Sequence, residues 1–232
     1  MIVNDDINNI KVIYIKIPKT GGTTISSNIW RKYNVKRSNK TVRSTKKHYK
    51  YVINLNFLPK FKLNRNECGW HSPYFKIKQY LEHKNLLIED FSKFSIIREP
   101  VSRFKSQYKH VFSTYGDLNI RKSIDYYFDC VSNNDKRLKV KSKIFSKKQT
   151  FWLNDENGLI PEDMKLFTTK TINDKKTLDY LNYIMGFEFD TEKRKNVSKI
   201  KKEIIVSSEL RSKIENFYSE DCELYEKINK SI

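Results

Sequence analysis

The stretch that most restricts what this chain can become runs from Ile10 to Tyr33. Ile10-Lys-Val-Ile-Tyr-Ile-Lys-Ile17 is an almost unbroken apolar run of strand-forming residues. Ile25, Ile29, Trp30 and Tyr33 then recur at helical spacing. Between the two lies Lys16-Ile-Pro-Lys-Thr-Gly-Gly-Thr-Thr24, so a strand passes through a glycine-bearing turn into a helix. Such a corner suits an anion. Amide N–H groups of the first helical turn have no partner within the helix, and the dipole adds partial positive charge there. Gly21 and Gly22 let the backbone approach closely, Lys19 adds a mobile full charge, and Thr20, Thr23 and Thr24 offer hydroxyl donors, one of which can cap the helix.

The loop is neither of two familiar phosphate sites. In the P-loop pattern the lysine follows the second glycine, whereas Lys19 precedes both. The dinucleotide fingerprint fails as well, because Gly21 and Gly22 are adjacent and no third glycine follows. A second segment supplies the context. Phe94-Ser-Ile-Ile-Arg98 reads as a short buried strand, and Glu99-Pro100 opens a helix with proline where its missing N–H does no harm. On that helix Val101, Phe104, Tyr108 and Val111 share one face, and Ser102, Arg103 and Ser106 fall on the other. Arg98 can grip phosphate oxygens bidentately, with the Ser106 hydroxyl as a further donor eight positions on.

Lys-Thr-Gly-Gly-Thr-Thr resembles the 5′-phosphosulfate loop of sulfotransferases, and Arg98-Glu-Pro followed by Ser106 resembles their 3′-phosphate motif. The likeness is to carbohydrate sulfotransferases of the heparan sulfate 2-O- and galactose 3-O- type. Two weaker segments resemble the same family: Lys148-Gln-Thr-Phe-Trp-Leu153 and the closing Tyr218-Ser-Glu-Asp-Cys-Glu-Leu-Tyr225. The resemblance implies a P-loop-like α/β fold, with a mainly parallel central sheet flanked by helices, forming one sulfotransferase domain over residues 1–232. It also implies 3′-phosphoadenosine 5′-phosphosulfate (PAPS) as the sulfuryl donor and a hydroxyl acceptor, most simply on a glycan. Lys19, Thr20, Gly21, Gly22, Thr23, Thr24, Arg98 and Ser106 are then the donor-binding residues, and Lys19 also stabilises the leaving oxygen.

Sulfuryl transfer needs a base for the acceptor proton. Of His48, His71, His83 and His110, the resemblance selects His71, in Glu67-Cys-Gly-Trp-His-Ser-Pro-Tyr74, which matches a catalytic histidine of the heparan sulfate 2-O- enzymes. Other branches use a glutamate, which makes Glu67 the reserve, and a purely structural histidine beside Trp70 is the plain alternative. Arg194 and Lys195, in a basic loop before the last helix, could contact the 3′-phosphate or form a solvated charge run.

The remaining features set bounds. A length of 232 residues suits one α/β domain, and 38% hydrophobic residues suit a folded chain. No apolar run nears the ~20 residues of a membrane span and no secretory leader is evident, so a cytoplasmic location is expected. Cys68, Cys130 and Cys222 are scattered and odd in number, giving neither a disulfide framework nor a metal-ligand spacing, and no metal is expected. The net charge of +19 keeps a rival open: a non-catalytic protein whose basic surface grips nucleic acid or glycan. The lysines are spread along the chain rather than grouped, which weakens that rival and gives no specific nucleic-acid partner. Helices are expected around 123–130, 149–154, 174–187 and 207–228, and a strand near Tyr51.

Overall fold

The computed structural model describes residues 1–6, 8–33, 51–53, 71–115, 123–136, 138, 140–190 and 203–231. His48, Glu67, Arg194 and Lys195 lie outside them.

Strands β1 (Ile2–Asp5), β2 (Ile10–Ile15), β3 (Tyr51–Ile53), β4 (Ser92–Ile97) and β5 (Met164–Thr168) form one sheet in the order β3-β1-β2-β4-β5. β2, β4 and β5 are mutually parallel, while β1 pairs antiparallel with both β2 and β3. The parallel centre agrees with expectation. The antiparallel β1, which precedes the run taken as the first strand, is new. Asn9 at φ 52° makes its turn into β2, a left-handed position that asparagine tolerates.

The near-continuous apolar runs of β2 and β4 follow from burial on both faces. Val12, Tyr14, Phe94 and Ile96 point to one side, where they meet Ile25 and Ile29 of α1 (Gly22–Lys32) and Leu181 and Met185 of α7 (Lys175–Met185). Ile13, Ile15 and Ile97 point to the other. There they meet Ile77 and Leu81 of α2 (Tyr74–His83), Trp152 of α6 (Thr150–Leu153), and Tyr225 and Ile228 of α9 (Ser219–Lys230). A third cluster joins α3 (Pro100–Tyr115), α4 (Ile124–Ser132) and α8 (Ser208–Phe217).

Local signals set the helix ends. Ser123 caps α4, its hydroxyl accepting from Tyr126 N at 3.0 Å, and Gly186 closes α7 at φ 64°. The helical face expected over 207–228 is present, but the backbone bends at Tyr218 and divides it into α8 and α9. Among the described residues, no helix is long and apolar enough to cross a membrane.

Candidate functional site

The turn between β2 and α1 is built from two left-handed residues, Lys19 at φ 68° and Gly21 at φ 79°. Gly21 occupies the N-cap position without any side-chain cap bond, so the expected threonine cap is not formed. The reason is conformational: a capping threonine needs extended backbone, and here that position is left-handed. Thr20 is buried with its hydroxyl donating to Ile17 O at 3.1 Å, a bond that stabilises the turn. Thr23 and Thr24 sit half-buried in the first turn of α1. The two glycines differ in kind. A Cβ on Gly22 would lie 2.3 Å from the Tyr14 hydroxyl, whereas one on Gly21 would have nothing within 4 Å. Gly22 is required by the fold, and Gly21 faces open space at a helix N-terminus.

Arg98 follows β4 directly, and its Nη1 donates to Lys19 O at 3.4 Å. The two motifs, far apart in sequence, therefore meet at the carboxyl ends of adjacent parallel strands. Burial, with Arg98 nearby, draws the Lys19 ammonium down to about 8, and burial also lowers Arg98. Among the described residues no carboxylate is bonded to the Lys19 ammonium or the Arg98 guanidinium, an arrangement suited to anionic charge. Glu99 does not neutralise them by hydrogen bonding; its oxygens accept from Val101 N at 3.0 Å and Ser102 N at 2.6 Å, capping α3. Ser106 is half-buried in the second turn of that helix.

Arg103 corrects the sequence reading. It was placed on the polar face of α3, yet it is 1% exposed. Its Nε donates to Pro18 O at 3.2 Å, and its Nη2 donates to Phe145 O at 3.1 Å and Lys147 O at 2.8 Å. Helical periodicity assigns a face but not what packs on it, and here three carbonyls and the Asp221 carboxylate satisfy the buried guanidinium. Gln149 and Asp221, both in the weaker segments noted above, complete this buried polar layer. Burial pushes the Asp221 carboxyl up, while Arg103 and the N–H donors of Gln149 and Thr150 pull it back.

His71 lies just before α2. Its Nδ1 is 2.6 Å from Lys16 O, and since a carbonyl can only accept, Nδ1 carries the proton and Nε2 keeps a lone pair. Phe145 and Trp152 stand edge-on to the ring, each with centroids 6.0 Å away. Burial pulls its pKa down to about 3, partly opposed by the Lys16 hydrogen bond, so the ring is neutral at neutral pH. His110 packs on the same Phe145 ring at 5.1 Å, and His83 is exposed at the end of α2.

A groove of about 670 Å³, lined by Asn8, Lys11, Lys32, Asp90 and Tyr183 among others, opens at the amino ends of β2 and β4. It lies at the opposite end of the sheet from Lys19 and Arg98 and takes no part in this site. Among the described residues, no group of three or more His, Cys, Asp or Glu side chains could hold a metal ion.

A search of curated proteins finds no match. The family model described as "Sulfotransferase family" matches residues 2–149, a span that contains β1, the Lys19 turn, His71 and the Arg98 segment. That match covers well over half of the chain, and the protein belongs to the sulfotransferase family.

Proposed function

We propose that this sulfotransferase takes its sulfuryl group from PAPS and passes it to a hydroxyl on a carbohydrate. The observation that carries the reading is the meeting of Arg98 with the Lys19 turn. One cationic locus at the strand ends, next to a helix N-terminus and an open Gly21, suits a nucleotide with phosphates at both ends. Lys19 and the first-turn amides of α1 would hold the 5′-phosphosulfate, and Arg98 with Ser106 the 3′-phosphate. The donor, when bound, supplies the activated sulfur.

In the reaction the acceptor oxygen bonds to sulfur as the sulfur–oxygen bond to the 5′-phosphate breaks. Lys19 stabilises the negative charge that appears on the leaving phosphate oxygen. The acceptor proton goes to His71 Nε2. A hydroxyl becomes strongly acidic as its oxygen bonds to sulfur, so a weakly basic imidazole suffices. The hydrogen bond from Nδ1 to Lys16 O keeps the other nitrogen aimed and unprotonated.

A glycan acceptor is supported by the surface beside His71. Phe145 and Trp152 flank His71, half-buried Phe151 packs edge-on against Trp152 and Phe75 against Phe151, with Lys147 Nζ 3.7 Å from the Phe151 ring centre and Lys76 Nζ 5.1 Å from that of Phe75. A cluster of rings and ammonium groups linked by these contacts suits a sugar with polar or acidic substituents.

Calorimetry with 3′-phosphoadenosine 5′-phosphate tests the proposal. One-to-one saturable binding, weakened tenfold or more by Arg98→Ala, is expected. Affinity for many unrelated anions, steeply salt-dependent and indifferent to Arg98→Ala, would instead establish the polyanion-binding rival. Transfer of labelled sulfate onto a glycan panel then tests the acceptor, with His71→Ala losing turnover while nucleotide binding survives.

A further inference from the structure

The last helix carries a carboxylate into the middle of the molecule. Asp221, on α9, is 0% exposed. Its oxygens accept from Gln149 N at 2.8 and 2.7 Å and from Thr150 N at 3.1 Å, and Arg103 Nη1 stands 3.7 Å away. Two of these partners, Gln149 and Arg103, lead on to the two segments proposed to bind phosphate. Gln149 grips the Arg98 backbone as a neighbouring strand would, its Oε1 accepting from Arg98 N at 2.9 Å and its Nε2 donating to Arg98 O at 2.8 Å. Arg103 holds Pro18 O, the carbonyl immediately before Lys19, at 3.2 Å. The Arg98–Lys19 contact closes the ring.

We infer that Asp221 is a positioning residue that sets the register of the Lys19 turn against Arg98, acting through Arg103 on one side and Gln149 on the other. The inference rests on the donor-site reading above. Stability alone does not account for such a ring: burying a charged pair costs desolvation that apolar residues of equal volume avoid. What apolar packing cannot do is hold two backbone segments at a fixed separation through directed bonds. Asp221 bonds directly to neither the Lys19 turn nor Arg98, and the Gln149 arm bears on Arg98 alone, so the two arms have separable effects.

Two variants are compared by calorimetry with 3′-phosphoadenosine 5′-phosphate and with adenosine 5′-phosphate, which lacks the 3′-phosphate. Gln149→Met keeps the side-chain length and removes both bonds to Arg98. It should weaken the doubly phosphorylated nucleotide tenfold or more and the singly phosphorylated one less than twofold. Asp221→Asn places an amide N–H₂ against N–H donors and strips Arg103 of its counter-charge, and it should weaken both nucleotides about tenfold. Circular dichroism and the unfolding midpoint establish that each variant is folded; if Asp221→Asn is not, Gln149→Met decides alone. A folded Gln149→Met protein that binds both nucleotides normally, or loses both equally, overturns the inference. Failure of the unaltered chain to bind 3′-phosphoadenosine 5′-phosphate overturns the donor reading beneath it, before any variant is compared.

Discussion

Replacing His71 by glutamine should remove about 2 kcal/mol of this protein's acid sensitivity. The imidazole is held at about 3 in the folded chain by burial, against 6.5 when exposed. Between those values the unfolded chain binds a proton that the folded chain refuses. The stability contributed by neutral His71 is therefore complete above pH 6.5 and lost as pH falls toward 3. At pH 5 the folded ring is still neutral, so the loss is set by the unfolded value: 1.5 pH units at 1.36 kcal/mol each, about 2 kcal/mol. Glutamine can still donate a hydrogen bond to Lys16 O but does not titrate. Urea unfolding at pH 7.5 and pH 5 supplies the four free energies. The acid-induced loss should be about 2 kcal/mol smaller in the variant, a difference of roughly 1 M in midpoint at a typical slope. An equal loss in both proteins, or an imidazole that titrates near 6.5 by NMR in the folded state, would refute the account of a neutral, buried His71.

Two further outcomes follow from the Lys19 turn. Gly22→Ala should destabilise the fold by about 1–3 kcal/mol through overlap with the Tyr14 hydroxyl, measured by denaturant unfolding. Tyr14→Phe should restore part of that loss, since among the described residues the buried hydroxyl has no hydrogen-bond partner to forfeit; no coupling between the two changes would show that the contact is not the cause. Lys19, lowered to about 8, loses its ammonium as pH rises through that value, so affinity for 3′-phosphoadenosine 5′-phosphate should fall there. Fold stability should move the other way, rising between pH 8 and 10.5, because the folded chain gives up a proton that the unfolded chain keeps. In Lys19→Arg both trends should flatten, and an unchanged alkaline limb in either would assign it to another group.

The Lys19 turn, the start of α3 and the caps of α4 and α7 could be read from a single stretch each. Left-handed turns, N-caps and helix faces depend on residues within about four positions of one another, and Gly21, Pro100, Ser123 and Gly186 carry that information locally. α2 is less conspicuous, although Tyr74, Ile77 and Leu81 after Pro73 hold a helical signal. β1 and β5 are four and five residues long, and their strand character comes from the neighbours they pair with.

The chain's order of residues by itself determined that two segments resembling phosphate-binding motifs exist and that strands lead into both. Only the tertiary structure decided that they meet, that Arg103 is buried, and that Asp221 and Gln149 lie between them. Those facts depend on hydrogen bonds between groups 42 to 85 positions apart. Local spacing shows that a polar side chain needs a partner, but the partner is chosen by how the helices pack on the sheet.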